Sequence, residues 1–307
     1  MSFLFKYGTE EGQIWARAFA EALPGISFKL WPDIGKPEEV RFLLFYEPIE
    51  DLSIFPNLEI LFTMSAGVEQ ALRLSLPAHL KLVRMVEPGL TASMVEYVVG
   101  SVLALHREFP KYLTRQTKKI WQDDPVPRAG ERRVSVMGAG VLGVACLEAL
   151  KPFGFPLSVW SRSRKNIENV DCHAGMEELW RFLARTDILI CLLPLTSSTR
   201  NILNARTFGG LPRGASLINA GRGGHLVESD LLAALETGQL DHAILDVCAE
   251  EPLPGTSLLW DHPQVWITPH IASNTQAGTG ADAVIQNIKN YLNNLPLTGL
   301  VNREQGY

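Results

Sequence analysis

The sequence predicts an α/β protein with two doubly wound parallel sheets, one of which belongs to a domain that is discontinuous along the chain. Strand-like and helix-like patterns alternate over most of the 307 residues, as is typical of parallel sheets covered by helices. A glycine-rich turn joins a strand pattern to a helix pattern near the middle of the chain. A helix pattern near the C-terminus is too short to form a domain, so we expect it to pack on the first one.

The first part of the chain carries the pattern of a parallel α/β domain. An amphipathic helix is predicted from Gln13 to Leu23, where Pro24 and Gly25 end it. Strands are predicted at Phe3–Tyr7, Ile26–Leu30, Val40–Phe45, Glu59–Met64 and Lys81–Val86. Because ligands bind at the carboxyl ends of such strands, the loop after Met64 is a candidate anion site, and a plain helix cap is the alternative. Its residues are Ser65, Ala66 and Gly67.

A long apolar helix is predicted from Thr91 to Phe109, with Ser93 or Thr91 as its cap. A polar segment over residues 111–130 then leads to a second alternation of patterns. The later segments of this alternation are Glu177–Leu183, Asp187–Leu193, Ala215–Ala220, Asp230–Leu235, Ala243–Val247 and Val265–Thr268. The C-terminal helix is predicted from Ala281 to Leu292.

A glycine-rich turn follows the strand pattern Val134–Met137 and opens a helix. Its residues are Gly138, Ala139, Gly140, Val141, Leu142 and Gly143. We expect Gly138 to make the tight turn, Gly140 to let a pyrophosphate approach the backbone, and Gly143 to let the helix pack on the strand. The helix N-terminus offers free N–H groups and a partial positive charge to the pyrophosphate. The turn therefore predicts a dinucleotide site in a Rossmann-like domain, with a plain structural turn as the alternative.

The end of the next strand pattern distinguishes NAD from NADP. An NAD site places an acid about 20 residues after the glycines to bond the ribose 2′-hydroxyl, and Trp160 and Ser161 stand there instead. The segment consists of Ser161, Arg162, Ser163 and Arg164. Two charge-assisted hydrogen bonds of roughly 1.5–3 kcal/mol each would favour a 2′-phosphate by about two orders of magnitude or more. We therefore predict NADP, and a solvated basic turn is the alternative.

These patterns divide the chain into two domains. Residues 96–272 are assigned to an NADP-binding domain, and residues 1–95 together with 273–307 to a substrate domain. The long helix and the segment after it are unusually apolar for a linker. Their apolar residues include Val98, Val99, Leu103, Leu105 and Trp121. We therefore predict a homodimer built around the NADP-binding domains.

Three loops of the second domain follow strand patterns, and each carries a reactive side chain. Arg222 follows the strand that ends near Ala220, Glu251 lies in the loop after Asp246, and His270 follows Thr268. The ends of parallel strands converge on one crevice, so these side chains are expected to meet there. An arginine fork binds a carboxylate, and a histidine beside a carboxylate is held ready as a proton donor. The set suits the reduction of a carbonyl compound that carries a carboxylate.

These residues and their order resemble the D-isomer-specific 2-hydroxyacid dehydrogenase family over nearly the whole chain. The matching segments are Gly138–Gly143, Leu193–Thr196, Thr199–Arg200, Asn219–Gly223, Asp246–Pro252 and Pro269–His270. Within the family, the chain is most similar to the NADP-dependent glyoxylate/hydroxypyruvate reductases of the bacterial A type. The features shared with that group are Trp160–Arg164, Phe153–Pro156, Ser65–Val68 and Gly306–Tyr307.

The resemblance implies a role for each matching residue. Arg222 would bind the substrate carboxylate and polarise the keto oxygen, His270 would protonate that oxygen, and Glu251 would orient His270. The residues implied in cofactor binding beyond the glycine turn and the basic turn are Leu193, Pro194, Ala220 and Asp246. The residues implied in substrate binding are Tyr46, Ser65, Ala66, Gly67 and Arg222. A cap at the strand end is the alternative for Asp246.

Two alternatives to reduction of small 2-keto acids such as glyoxylate and hydroxypyruvate remain open. Cys248 stands where the family often has an aromatic residue, and Tyr46 stands where close relatives have tryptophan near the substrate. The change at Cys248 concerns the packing behind Glu251, whereas the change at Tyr46 leaves the size preference for the substrate open. A dehydrogenase for bulkier 2-keto acids of the phenylpyruvate type is one alternative. The other is a non-enzymatic NAD(P)-sensing corepressor scaffold, although such proteins carry an acid for NAD that is missing here.

The composition bounds location and partners. The net charge of −5 argues against nucleic acid, and the absence of an apolar run of about 20 residues argues against a membrane. The start of the sequence lacks the pattern of a signal peptide, and the four scattered cysteines indicate buried thiols, so a cytoplasmic location is expected. No ligand spacing predicts a metal site. The histidines interpreted as surface or internally satisfied are His79, His106, His173, His225, His242 and His262.

Overall fold

The computed structural model describes residues 1–49 and 51–307. The chain divides into two compact units. The first unit comprises Met1–Leu90 and Asn274–Tyr307, and the second comprises Thr91–Ser273. The chain therefore leaves the first unit once and returns to it once.

Among the described residues of the first unit, five parallel strands form a sheet in the order β2-β1-β3-β4-β5. The strands are β1 (Ser2–Lys6), β2 (Ser27–Leu30), β3 (Val40–Phe45), β4 (Ile60–Thr63) and β5 (Lys81–Val83). The helices of this unit are α1 (Thr9–Ala22), α2 (Glu69–Leu72) and, after return of the chain, Ala277–Leu292. An aromatic cluster fills the space between the sheet and α1. It includes Phe3, Phe5, Trp15, Phe19 and Phe28.

The C-terminal helix begins four residues earlier than predicted, at Ala277 rather than Ala281. Gly278 and Gly280 lower the helix propensity of its first turn, which explains why the sequence pattern missed it. Gly280 is required for packing, because an added Cβ would lie 2.7 Å from the Thr275 methyl group and 3.1 Å from the Trp15 ring. The helix thus packs against α1.

Glu87 joins the two segments of the first unit through its buried carboxylate. One carboxylate oxygen accepts from the Leu90 amide at 2.6 Å and the Gln276 amide at 3.1 Å. The other accepts from the Gly89 amide at 2.5 Å and the Thr279 hydroxyl at 2.6 Å. A single buried side chain therefore binds the segment before the chain leaves the unit and the segment after it returns.

In the second unit, which is described without a gap, seven parallel strands follow the order β12-β11-β10-β9-β6-β7-β8. The strands are β6 (Val134–Met137), β7 (Leu157–Ser161), β8 (Asp171–Ala174), β9 (Ile188–Cys191), β10 (Ala215–Asn219), β11 (Leu240–Leu245) and β12 (Val265–Ile267). The helices are α3 (Pro88–His106, which begins in the first unit), α4 (Phe109–Thr117), α5 (Val141–Leu150), α6 (Gly175–Leu183), α7 (Ala205–Gly209) and α8 (Glu228–Glu236). Parallel pairing throughout both sheets confirms the predicted fold class.

Helices cover both faces of the seven-stranded sheet. In β9, Ile188 and Ile190 pack with apolar residues of α3 and α5 on one face. Leu189 and Cys191 pack with residues of α6, α7 and α8 on the other. The strand order reverses between β6 and β9, which places a crevice at the carboxyl ends of these strands. Loops that follow the strands at this edge are therefore the candidates for binding.

Helix α3 begins at Pro88 rather than at Thr91 and ends at His106 rather than at Phe109. Its cap is Glu87, whose carboxylate accepts from the first-turn amides, so the prediction of Ser93 or Thr91 as the cap is wrong. The acceptor preceding Pro88 was not recognised, because a glutamate is not among the preferred capping residues.

The same helix is long and apolar enough to cross a membrane, with 19 residues and a mean hydropathy of 1.3. The prediction that no apolar run approaches about 20 residues is therefore wrong, since this helix meets that length and is apolar enough. A core helix has the same properties, and Met94, Val98, Val102 and Leu105 of α3 pack in one of the two cores of the second unit. The apolar side of α3 is therefore buried in the core of the second unit.

Candidate active site

The glycines of the turn after β6 have the separate steric roles that the sequence predicts for them. Gly138 has φ +117°, and an added Cβ would lie 2.7 Å from the Leu192 carbonyl oxygen. An added Cβ on Gly143 would lie 1.9 Å from the Gly138 carbonyl oxygen, so the close packing of α5 on β6 needs a glycine there. At Gly140, by contrast, an added Cβ would meet no atom within 4 Å. The open side at Gly140, directly before the α5 N-terminus, fits the approach of a pyrophosphate.

The basic turn after β7 is held in place by hydrogen bonds. The Ser161 hydroxyl donates to the Ser163 carbonyl at 2.8 Å. Arg164 donates to the Cys172 carbonyl at 2.7 Å and forms an ion pair with Glu178. The hydrogen bonds from the Ala174 amide and from Arg164 together lower the pKa of Glu178, against the opposing effect of burial. Arg164 is exposed but already partnered, so a 2′-phosphate would share it or displace Glu178.

The loop that carries Arg222 lies directly against the loop that leads to Glu251. An added Cβ on Gly223 would lie 1.7 Å from the Cys248 carbonyl oxygen, so only glycine permits this approach. The Arg222 backbone is extended, and one guanidinium nitrogen donates to the Gly221 carbonyl at 2.7 Å. The glycine pair after Arg222 is the signal in the sequence for this packing requirement, which depends on how closely the two loops approach. It fixes where the backbone of the Arg222 loop can lie.

His270 and Glu251 form a direct pair. The Nδ1 atom of His270 lies 2.7 Å from one Glu251 oxygen, and the other Glu251 oxygen accepts from the Cys248 amide at 2.9 Å. Burial acts to raise the pKa of Glu251, but the hydrogen bonds from His270 and Cys248 outweigh it and lower that pKa. The carboxylate is therefore ionised at neutral pH. Since Nδ1 is engaged, Nε2 is the ring nitrogen that remains for a reacting oxygen.

Asp246 holds the backbone on which His270 sits. One carboxylate oxygen accepts from the Thr268 hydroxyl at 2.7 Å and the Ile271 amide at 2.8 Å, and the other accepts from the Ala272 amide at 2.9 Å. The Asp246 carbonyl accepts from the His270 amide at 2.8 Å. These contacts hold His270 at φ +55°, a value unusual for a residue other than glycine. The geometry matches the cap that was the alternative for Asp246, while its cofactor role stays a prediction.

The remaining predicted cofactor residues also lie at the strand ends of the second unit. Leu193 and Ala220 are buried, and Pro194 follows β9 with its carbonyl facing the loop that begins at Thr196. Tyr97 extends the Asp246 network, because its hydroxyl lies 2.7 Å from the Thr268 hydroxyl. Burial raises the pKa of Tyr97 to about 12, which keeps this hydroxyl protonated. Tyr97 was not singled out from the sequence, since it appears there as one residue of an apolar helix.

The predicted substrate residues Tyr46, Ser65, Ala66 and Gly67 lie in the first unit after β3 and β4. The Ser65 hydroxyl donates to the Gly67 carbonyl at 2.8 Å, which makes a compact turn. Tyr46 is exposed and packs beside Tyr7, with ring centroids 5.7 Å apart. The loop thus has the backbone of a small-residue turn, and its binding role stays a prediction. In the described residues, no group of histidine, cysteine and carboxylate side chains is arranged to hold a metal.

Comparison with known proteins decides the family. Residues 99–272 match the family model described as the D-isomer specific 2-hydroxyacid dehydrogenase NAD binding domain. The chain belongs to this dehydrogenase family. It is 38% identical to the glyoxylate/hydroxypyruvate reductase A of Salmonella newport, with both chains covered completely. The family inferred from the motifs is therefore confirmed, and with it the assignment to the oxidoreductases.

Two solved family structures are similar over the whole chain. A D-isomer specific 2-hydroxyacid dehydrogenase from Xanthobacter autotrophicus Py2, in complex with NADPH and MES, is 35% identical with a TM-score of 0.95. The similarity covers 100% of this chain and 99% of the Xanthobacter chain. The NADPH-dependent glyoxylate/hydroxypyruvate reductase from Sinorhizobium meliloti, in complex with NADP and sulfate, is 36% identical with a TM-score of 0.91 and the same coverage. Both units of the chain therefore have counterparts in family members that bind NADPH or NADP.

Proposed function

We propose that this chain is an NADPH-dependent reductase of small 2-keto acids that converts glyoxylate to glycolate and hydroxypyruvate to D-glycerate. The observation that carries the proposal is the contact of 2.7 Å between His270 and Glu251. This pair follows strand ends of the unit that also carries Arg222 and the glycine turn. The names of the relatives from Salmonella newport and Sinorhizobium meliloti support the choice of substrates.

His270 is the proton donor in this proposal. NADPH, when bound, supplies the hydride that the keto carbon accepts. The Nε2 atom of His270 gives its proton to the keto oxygen. The π bond of the carbonyl breaks, the C–O single bond remains, and a C–H and an O–H bond form. Glu251 stabilises the imidazolium before transfer and keeps its Nδ1 edge engaged.

Arg222 binds the substrate carboxylate and stabilises the charge that develops on the keto oxygen. We assign the amides of Ser65, Ala66 and Gly67 to the same carboxylate and Tyr46 to the substrate's side chain. The glycine turn from Gly138 to Gly143 would hold the pyrophosphate. The residues assigned to the adenosine 2′-phosphate are Ser161, Arg162, Ser163 and Arg164. The residues assigned to the nicotinamide are Leu193, Pro194, Ala220 and Asp246.

Steady-state rates with two cofactors and three acids test this function. We expect kcat/KM with NADPH to exceed that with NADH by about two orders of magnitude, because two guanidinium groups favour the 2′-phosphate. Glyoxylate and hydroxypyruvate should be reduced in preference to phenylpyruvate. Arg162→Ala and Arg164→Ala should each narrow the cofactor preference mainly through KM.

The control for these variants is Arg17→Ala, which removes one exposed positive charge from α1 in the first unit. It should leave the ratio of the two cofactors unchanged. Equal efficiency of NADPH and NADH in the unmodified enzyme contradicts the cofactor assignment. A preference for phenylpyruvate indicates a dehydrogenase for bulkier acids, and a chain that binds NADPH without reducing any of the three acids indicates a sensing scaffold.

We also propose a homodimer built around the NADP-binding unit. Phe109 and Leu113 lie one turn apart on α4 and are each about half exposed, and Trp121 beyond α4 is fully exposed. Apolar side chains at this spacing form a face that a second copy would cover. Light scattering should give twice the chain mass of 34.0 kDa. Leu113→Glu combined with Trp121→Glu should yield monomers, whereas Leu258→Glu, at a separate exposed leucine, should not.

A cytoplasmic location is proposed from the thiols. Each of the four cysteines lies in the described part of the chain and is free. Burial raises the pKa of Cys146 and of Cys191 to about 12, so both stay as unreactive thiols. This use of cysteine is typical of a reducing compartment. We assign neither nucleic acid nor membrane as a partner.

A further inference from the structure

His225 is a fully buried histidine that the mechanism above does not use. It closes the short 3-10 turn Gly223–His225, which begins directly after Arg222. Its Nδ1 atom lies 3.1 Å from the Arg222 amide nitrogen, and its Nε2 atom lies 3.2 Å from the Pro194 carbonyl oxygen. The ring therefore connects the loop after β10 with the loop after β9.

These two contacts specify the protonation of the ring. The Arg222 amide can only donate, so Nδ1 must carry a lone pair, and the Pro194 carbonyl can only accept, so Nε2 must carry the proton. His225 is thus a neutral imidazole in one tautomer, with one acceptor and one donor used for different loops. A leucine or phenylalanine of similar size would fill the space but make neither contact.

The surroundings of the ring leave little room for another arrangement. A Cβ added to Gly221 would lie 3.1 Å from Nδ1, so the ring packs on the backbone directly before Arg222. The Pro194 carbonyl also accepts from the Thr199 hydroxyl at 2.7 Å, and the His225 carbonyl accepts from the Leu203 amide at 2.9 Å. The ring and its backbone are therefore fixed on both sides, and each loop is positioned relative to the other through it.

We propose that His225 is a positioning residue whose two nitrogens serve two different ligands. Through Nδ1 it orients the backbone of Arg222 and so the guanidinium that binds the substrate carboxylate. Through Nε2 it orients the Pro194 loop and so the wall against which the nicotinamide half of the cofactor lies. This inference rests on the proposed function for the identity of the two ligands. It adds that one ring nitrogen of His225 acts on substrate binding and the other on cofactor binding.

Two substitutions of His225 test the contacts of its two ring nitrogens separately. In His225→Asn the side-chain oxygen takes the place of Nδ1 and accepts from the Arg222 amide, but the side chain does not reach Pro194. In His225→Gln the side-chain nitrogen takes the place of Nε2 and donates to the Pro194 carbonyl, but no acceptor faces Arg222. A side chain that only fills space would not produce opposite effects from these two substitutions.

The measurements are the NADPH dissociation constant from fluorescence titration, without substrate, and the KM and kcat for the keto acid. Loss of one hydrogen bond corresponds to an increase of about three- to tenfold in a dissociation constant or a KM. His225→Asn should weaken NADPH binding by that factor and leave the KM for the keto acid nearly unchanged. His225→Gln should leave NADPH binding nearly unchanged, raise the KM for the keto acid by that factor and lower kcat. His225→Ala should show both losses.

The matched control is His262→Gln, which removes a contact of the same kind, since Nδ1 of His262 accepts from the Gln264 amide at 3.3 Å. His262→Gln should change neither the NADPH dissociation constant nor the KM for the keto acid. Equal losses for both ligands in His225→Asn and His225→Gln, or no loss in either, would overturn the proposal. Failure of the proposed function is recognised separately, because the unmodified enzyme would then bind NADPH without reducing the keto acids, and the NADPH arm of the test still applies.

A measurement on the unmodified protein covers the case in which the variants do not fold. Nitrogen-15 NMR of the histidine side chains, assigned by elimination with the other histidines substituted in turn, reports the tautomer of His225. The proposal requires a proton on Nε2 alone, and a shift of this nitrogen when NADPH binds. A proton on Nδ1, or a spectrum insensitive to NADPH, contradicts it.

Discussion

Replacing His270 with alanine is expected to lower kcat for keto-acid reduction by about 10²- to 10⁴-fold, because the variant lacks the side chain proposed to protonate the keto oxygen. NADPH binding, measured by fluorescence titration, should change little, since no cofactor contact is assigned to this side chain. His262→Ala is the matched control in the same unit and should retain the kcat of the unmodified enzyme. Near-normal turnover in His270→Ala would place the acid elsewhere.

The pH profile tests the partner of this histidine. Because hydrogen bonds from His270 and Cys248 lower the pKa of Glu251 against the effect of burial, its carboxylate stays ionised from mildly acidic pH upwards. Reduction requires the protonated ring, so its rate should fall as the pH rises. Oxidation of the hydroxy acid requires the neutral ring, so its rate should rise over the same range.

Glu251→Gln should move the decline in reduction to lower pH, because the imidazolium loses its ionic partner. The amide of glutamine retains an oxygen that can accept from Nδ1, so the ring orientation is preserved while the charge is removed. Glu250→Gln removes a neighbouring exposed charge and should leave the profile in place. An unchanged profile in Glu251→Gln would contradict the assigned role of Glu251.

Arg222→Ala is expected to raise the KM for the keto acid strongly and to lower kcat as well, with a combined loss in kcat/KM of about 10²-fold or more. Both effects are expected because, in the proposed mechanism, the guanidinium binds the carboxylate and stabilises charge on the keto oxygen. Arg222→Lys should restore little, since a point charge does not reproduce the planar fork of two donors. Arg213→Ala, at an exposed arginine that donates to the Thr237 carbonyl, is the control. Recovery of activity in Arg222→Lys would show that charge alone suffices.

The sequence predicted those parts of the fold that have strong local patterns. The buried apolar runs of β6, β9 and β10 and the glycine turn are visible without any tertiary information. Strand β8 was missed, because Asp171–Ala174 is a short edge strand with a charged and a polar residue among its four. The role of Glu87 in joining the two segments of the first unit could not be predicted, because its partners Gln276 and Thr279 lie far away in sequence.

The candidate site divides in the same way. Arg222, Glu251 and His270 could be predicted as candidates because each follows a strand pattern, and strand ends converge in a parallel sheet. The contact of Gly223 with the Cys248 carbonyl depends on how close two loops approach, which no local pattern encodes. His225 was interpreted as a surface or satisfied histidine, and its two contacts become visible only when the loops after β9 and β10 are placed side by side.

The hydrogen bonds between Glu87 and the C-terminal segment have a consequence for the order in which the protein folds during its synthesis. The second unit is continuous from Thr91 to Ser273, so its core can assemble once that segment has left the ribosome. The first unit is synthesised earlier. Until residues 274–307 have emerged, it lacks the Gln276 and Thr279 donors to Glu87 and the helix that packs on α1. In a chain truncated after Ser273 and released from the ribosome, the second unit should therefore resist proteolysis better than the first unit. The part of the chain that is translated first is completed last.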